Sequence, residues 1–270
     1  MMSVRMGSRL KIAIATLVVL GSLPAAAAAT KLVRDEKIEQ RIFKLVNQAR
    51  EEKGLDALKW NHKLGVAAAE HLVKMMEKRR LSHRFPNELA LSERIAATGL
   101  RFNAAAENVG YATDWEDLHS GWMRSPGHRA NILNTKYDEV GIAVSLGPNG
   151  YYAVQNFAHT TSESGTKEAE ARWAAALRRE VRREIAVTFS PRIREAVCAM
   201  AERDKVDAKQ LPVEPPRRRM FAYTTSEPDA LPPGLVEAAR GANIAQIDVG
   251  VCYRVTEKYP GGTYWVGAVY

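Results

Sequence analysis

The sequence predicts an α+β protein, a three-layer α-β-α sandwich followed by a C-terminal, degenerate second copy of it. Three observations carry this. Helical periodicity runs through much of the chain before about residue 133. Alternating apolar residues at Val140, Ile142 and Val144, and again at Tyr152 and Val154, form a late hairpin. The end of the chain then echoes that hairpin. Helices around a hairpin with strands late in the chain fit layered α+β packing. The organisation expected is a signal peptide at 1–29, a first domain at 35–162 and a C-terminal domain at 166–270.

The 270 residues suffice for one large domain or two small ones. Their 46% hydrophobic and 26% charged content is ordinary for a globular chain, so a sizeable core is expected. Arg5, Arg9 and Lys11 form a positive head, and Ile12 to Leu23 is an apolar run too short to span a membrane comfortably. Ala25 to Ala29 offers small residues for cleavage after Ala29. An uncleaved anchor is the alternative, disfavoured because Gly21 and Pro24 break the run. No cysteine follows the run, so a lipoprotein anchor is not expected. The chain is read as exported, periplasmic or extracellular, with no transmembrane segment after cleavage. Cleavage removes three basic residues and no acidic ones, lowering the formal charge from +8 to about +5. That suits an anionic envelope surface. No nucleic-acid motif accompanies it, and no nucleic-acid partner is expected.

From Asp35 to Lys53, Ile38, Ile42, Leu45, Val46 and Ala49 share one helical face, and Gly54 stops the helix. Asn61 caps a second helix carrying Leu64, Ala67, Ala68, Leu72, Met75 and Met76, with Trp60 as a core anchor before it. Arg79 to Asn87 is a loop containing Ser82-His83-Arg84, and Leu89 to Ala97 a third helix ended by Gly99. Ala104 to Gly110 is short and apolar around Glu107, a carboxylate that needs a partner if buried. Trp115 to Arg124 is helical and leads into Ser125-Pro126-Gly127-His128-Arg129-Ala130-Asn131-Ile132-Leu133. There Ser125 is placed to cap, Pro126 suits the first helical position, and His128 falls in the first turn. That histidine either serves a site or only bonds to backbone. Gly147-Pro148-Asn149-Gly150 turns the hairpin.

Beyond a boundary near Ser162 to Gly165, Glu168 to Glu184 reads as a charged helix and Pro191 to Glu202 as another. Asp204 to Arg219 is linker-like, with Pro212, Pro215, Pro216 and a run of three arginines. Asp248 to Val255 echoes Glu139 to Val144, and Pro260 to Val266 echoes Pro148 to Val154. Ser190 to Val197 parallels Trp60 to Ala67 more weakly. No histidine follows His159, so a second copy lacks whatever the earlier histidines do. Cys198 falls on a helix and Cys252 on a strand beneath it. In an exported chain the pair reads as a disulfide or as two small buried residues.

Three segments combine loops, small residues and polar groups: Ser82-His83, Ala106-Glu107-Asn108 and Pro126-Gly127-His128. Two neutral imidazoles can hold zinc or another divalent cation, with a carboxylate orienting one of them, so His83 and His128 are candidate metal ligands and Glu107 their partner. His62 and His71 belong to a helix, His119 precedes the motif and His159 ends a strand; all are weaker candidates. Ser82 and Ser125 neighbour the favoured histidines, but both have capping or loop roles available.

Taken in order, four stretches resemble the CAP superfamily (cysteine-rich secretory, antigen 5 and pathogenesis-related proteins), in its bacterial SCP-domain branch. They are Leu45-Val46-Asn47-Gln48-Ala49-Arg50 with Leu58-Lys59-Trp60-Asn61; Ser82-His83; Ala106-Glu107-Asn108-Val109; and Trp122-Met123-Arg124-Ser125-Pro126-Gly127-His128-Arg129-Ala130-Asn131-Ile132-Leu133. The match continues through Val140-Gly141-Ile142-Ala143 to Gln155-Asn156-Phe157. The resemblance implies an α-β-α sandwich with a central cleft of two histidines and two acids, which in some members binds zinc. His83 and His128 match the histidines and Glu107 the first acid; Ser125 stands where the second is expected, leaving Glu116 and Glu139 as spatial substitutes. Asn108 joins these in the expected cleft. The resemblance implies a binding protein for a small apolar ligand, a lipid or sterol-like molecule, a peptide or an envelope protein. The alternative is a metal-dependent hydrolase of envelope peptide, glycan or ester, weakened by the missing second acid.

Overall fold

The computed structural model describes residues 34–161, 164–213, 219–241 and 244–270, so the expected signal peptide lies outside the described residues. The first half begins with α1 (Glu36–Glu51), capped by Asp35, whose carboxylate accepts from Ile38 N–H at 3.1 Å. A short strand β1 (Lys59–Trp60) leads into α2 (His62–Lys78), capped by Asn61 as the sequence implies. Then come α3 (Leu91–Ala97), β2 (Phe102–Ala112), α4 (Glu116–Arg124), α5 (Pro126–Ile132), β3 (Glu139–Gly147) and β4 (Gly150–Thr160). The four strands form one sheet in the order β1-β3-β4-β2, with β1 parallel to β3 and the other pairs antiparallel.

The expected hairpin is therefore the middle of a larger sheet. Its edge, β2, is the eleven-residue strand that the alanine-rich stretch around Glu107 forms. Alternation is masked there because Ala104, Ala105 and Ala106 are small on both faces. Strand residues point alternately to the two faces. Val140, Ile142 and Val144 of β3 pack with Ile38, Ile42 and Val46 of α1, Leu118 and Trp122 of α4, and Ile132 of α5. Ala143 and Val154 pack on the other face with Ala68, Leu72 and Met75 of α2. This is the α-β-α sandwich the sequence predicts.

The second half contains α6 (Thr166–Val181), β5 (Ala186–Phe189), α7 (Pro191–Glu202), a 3-10 turn at Ala208–Gln210, β6 (Met220–Thr225), α8 (Pro233–Arg240), β7 (Gln246–Arg254) and β8 (Thr263–Val269). Its sheet runs β5-β7-β8-β6, again with one parallel pair followed by two antiparallel ones. Trp173 and Leu177 of α6 and Leu235 of α8 cover one face, and Ile193, Val197 and Met200 of α7 cover the other. The order, the layers and the parallel pairing repeat the first half. Cys198 on α7 and Cys252 on β7 are joined as a disulfide. Asp204 to Arg219 is less of a free linker than its prolines imply, because Leu211 is buried in the α7 core; residues 214–218 lie outside the described residues.

One close approach fixes both copies. A Cβ on Gly141 would lie 2.1 Å from the Gly65 nitrogen, so β3 and α2 meet backbone to backbone. A Cβ on Gly250 would lie 2.2 Å from the Arg194 nitrogen, the same approach between β7 and α7. Neither obstacle is a flexible side chain, so the helix itself must move. Gly141→Ala and Gly250→Ala are each expected to destabilise the chain by about 1–3 kcal/mol or more, read from urea unfolding, against little change for Gly127→Ala, where a Cβ meets nothing within 4 Å. Replacing both cysteines by serine is expected to cost about 2–4 kcal/mol in the same assay.

Candidate functional site

The site is built on β2, the sheet edge, whose consecutive residues Glu107 and Asn108 point to opposite faces. Glu107 turns toward α2 and α3, where its side chain is only 3% exposed. A carboxylate so placed needs charged or polar partners. His83 Nδ1 lies 2.9 Å from its Oε1, and Arg94 Nη2 of α3 donates to its Oε2. Arg94 is itself buried and also donates to Leu89 O at 3.1 Å and His83 O at 3.4 Å. It therefore holds both the carboxylate and the loop that carries His83.

Behind this pair lies a second buried carboxylate. Glu88 Oε1 stands 2.8 Å from Nδ1 of fully buried His71, and its Oε2 accepts from Phe85 N–H at 2.9 Å. His71 Nε2 donates to Ser82 O at 2.6 Å and lies 3.9 Å from Glu107 Oε1. Arg94 Nη1 is 3.8 Å from Glu88. Burial would push the Glu88 carboxyl up. Hydrogen bonds from His71 and Phe85, with the charges of His71 and Arg94, hold it below the ordinary carboxylate value.

On the other face Asn108 ties β2 to α5. Its Nδ2 donates to His128 O at 3.2 Å and to Gln155 Oε1 at 3.0 Å, and its Oδ1 accepts from Asn131 Nδ2 at 2.9 Å. Trp122 of α4 packs against Gly110 and donates Nε1–H to Val109 O at 3.0 Å. Asn131 and His128 are three residues apart on one helix, so a single face of α5 docks on the strand. The half-buried His128 ring stands close enough to His83 that a charge on His83 lowers its pKa. The two histidines thus stand on either side of the sheet edge, His83 beside Glu107 and His128 on the helix that Asn108 holds.

Glu107, Asn108, His83 and His128 are brought together. Ser125 takes the N-cap position of α5, but its hydroxyl accepts no capping bond and has no part in the Glu107 network. Arg94, rather than Ser125, is the further polar group on Glu107. Glu116 opens α4 on an exposed turn, and Glu139 accepts from Asn61 Nδ2 at the β1 end, so neither replaces the second acid. His119 sits near Glu52 at the C-cap of α1, and His159 lies 3.3 Å from Asp138; neither joins the cleft. Arg94, His71 and Glu88 are the residues that sequence reasoning missed. The available signal was an arginine at a core-facing position beside Ile95, which demands a buried anion.

The donor set fits a divalent cation poorly. Among the described residues no three His, Cys, Asp or Glu side chains converge as a ligand group. Both Glu107 oxygens are already taken, one by a guanidinium whose positive charge repels a metal at that carboxylate. His83 and His128 remain as two imidazoles without a free anionic ligand.

An α-β-α sandwich with paired histidines across its edge strand and a glutamate beneath them is the class of structure that results. Residues 43–157 match the family model described as the cysteine-rich secretory protein family, CAP. Two curated relatives come from Bacillus subtilis (strain 168). The uncharacterized membrane protein YlbC is 32% identical over 47% of this chain and 38% of its own length. The uncharacterized protein YkwD is 29% identical over 38% of this chain and 41% of its own length. The chain thus spans about two fifths of each curated relative's length. A crystal structure of an extracellular SCP-domain protein from Bacillus anthracis is 28% identical over 47% of this chain and 41% of that one, with a TM-score of 0.41. Residues 43–157 are thus a CAP-family domain, which lies in the first half of the chain.

The two histidines are pushed apart electrostatically. The hydrogen bond to Glu107 raises His83 above its ordinary 6.5, whereas burial and then the charge of His83 lower His128 below it. Stability linked to His83 is therefore fully present below about pH 6.5 and lost as pH rises through its raised value, while that linked to His128 is present above about pH 6.5 and lost on acidification. NMR titration of the ring protons is expected to show the two histidines on opposite sides of 6.5. Glu107→Gln is expected to bring His83 down, because Arg94 then acts on it unopposed, and to cost about 3 kcal/mol by leaving Arg94 short of its main counter-ion.

Proposed function

We propose that the chain is an exported CAP-domain protein whose cleft, formed by His83, Glu107, Asn108 and His128 with Ser125 at its rim, binds a small apolar ligand, lipid or peptide without catalysing its turnover. The observation that carries this reading is the internal commitment of Glu107. With both oxygens held by His83 and Arg94, no carboxylate among the described residues of the cleft is free to act as a general base or to anchor a metal. What remains accessible is a pair of imidazoles, one a hydrogen-bond donor and one better suited to accept. His83 is 60% exposed at its side chain, so its outer edge is open to a ligand. Leu81 and Leu89 are exposed on the segment that carries His83.

The metal-dependent hydrolase has less support, because it needs the same Glu107 carboxylate to give up Arg94. Export is supported by the sequence of residues 1–29, and among the described residues no helix is long and apolar enough to cross a membrane. Native mass spectrometry of the chain recovered from its own envelope or medium tests the binding reading. The expected result is an N-terminus after Ala29 and a bound species that His128→Ala and Leu89→Asp each weaken at least tenfold, without a thermal shift. Retention unaffected by either substitution would refute the assignment of this cleft.

A further inference from the structure

Each sheet leaves one long strand paired on one side only, β2 in the first half and β6 in the second. Both halves belong to one compact unit, and these two edges run to the same place. Residues 102–105 of β2 and residues 224–226 at the end of β6 line a pocket of about 650 Å³, within the range of ligand sites. None of the cleft residues His83, Glu107, Asn108, Ser125 or His128 lines it, so it is a separate place.

The pocket is held open by fixed contacts rather than by a loose junction. Phe102 N–H donates to Gly261 O at 3.3 Å, and Asn103 Nδ2 donates to Ser226 Oγ at 2.8 Å. Gly261 seats so tightly that a Cβ there would lie 2.1 Å from Phe102 O. The Arg101 guanidinium stacks 3.5 Å over the Tyr253 ring. These ties bind the start of β2 to the end of β6, to β7 and to the loop between β7 and β8.

Backbone chemistry says what such a pocket takes. Alternate residues of an edge strand turn their N–H and C=O groups away from their one partner, and an extended chain satisfies them by pairing. Ala104 and Ala105 are small and half-exposed, so a second backbone can come close to β2 there. Beyond Phe102, whose N–H Gly261 takes, residues 103–105 offer about 10 Å of edge, the length of a three-residue strand. At the rim stands Lys258, exposed, with Nζ 5.3 Å over the Tyr259 ring and no carboxylate in ion-pair reach among the described residues. A cation beside an amide-lined pocket complements an anion on the incoming chain.

We propose that this junction is a peptide-binding site, which takes a short extended segment as a strand added to β2 and pairs a carboxylate of that segment with Lys258. The test uses the full chain on an array of random pentapeptides with free C-termini, beside the same array amidated. Retained peptides are expected to be acidic or free at the C-terminus, rich in β-branched residues and free of proline. Lys258→Glu is expected to lower retention at least tenfold, and Ser92→Trp, which fills the pocket, to abolish it. His128→Ala is expected to leave it unchanged, which separates this site from the cleft. Unchanged melting curves show that the variants fold. No retained peptide, equal retention of proline-containing or amidated acid-free peptides, or retention indifferent to Lys258→Glu would each overturn the proposal.

Discussion

The Glu107 carboxylate is the constraint on which the site depends. It is buried on an edge strand among alanines, where an unpaired charge would be costly, and it recruits a guanidinium and an imidazole from two different segments. Arg94 comes from α3 and His83 from the preceding loop. Arg94 also grips the carbonyl of His83, so strand, helix and loop are locked by one planar fork of donors. Glu88 and His71 form the layer behind, hydrogen-bonded to each other and close to Arg94 and Glu107. On the far side of β2, Asn108 does by neutral hydrogen bonds what Glu107 does by charge, fixing α5 and with it His128.

The second half has the same frame without this chemistry. Asn156 opposes both Glu107 and Gly141 in the first sheet, and Gly267 opposes both Ala222 and Gly250 in the second. Ala222 thus takes the register position of Glu107. A Cβ on Gly267 would meet Leu211, Ile193 and Val197 within 2.9 Å, so the second half is packed with apolar side chains there. One ion pair does persist. In the first half Arg34 holds buried Glu39 at 2.6 Å and reaches the Ile142 carbonyl, lying beside Gly65. In the second, Arg194 occupies the place of Gly65 and itself holds buried Glu170 at 2.5 Å. The same carboxylate position on the first helix is neutralised by an arginine from a different part of the chain.

Much of this was legible in the sequence because it rests on local rules. Asn61 and Ser190 announce their helices as N-caps, Pro126 and Pro191 as first residues, and the glycine turns mark the hairpins. The echo between Glu139 to Val144 and Asp248 to Val255 reflects one register constraint met twice, a glycine beneath a helix. The candidate site was legible as three polar segments, and the need of Glu107 for a partner was legible as a charge among alanines. What could not be read was which partner it takes. Arg94 and Glu107 are separated by a helix end, a turn and half a strand, and only the fold makes them neighbours. Ser125 drew attention through its cap position, a local signal, whereas Arg94 carries no local signal beyond an arginine beside a buried isoleucine. His71 was passed over for the same reason, since a helical histidine shows its burial only once Glu88 and Ser82 O are in place.

Both Glu107 oxygens are held by Arg94 and His83, and the proposed reading of the cleft as a ligand site rather than a metal centre rests on that pairing. Anomalous diffraction at the zinc edge from crystals soaked in a zinc salt tests it most directly. Glu107 is expected to remain paired with Arg94, with no anomalous peak within about 2.2 Å of its carboxylate. A peak bonded to Glu107 together with His83 or His128, with Arg94 swung away, would contradict it.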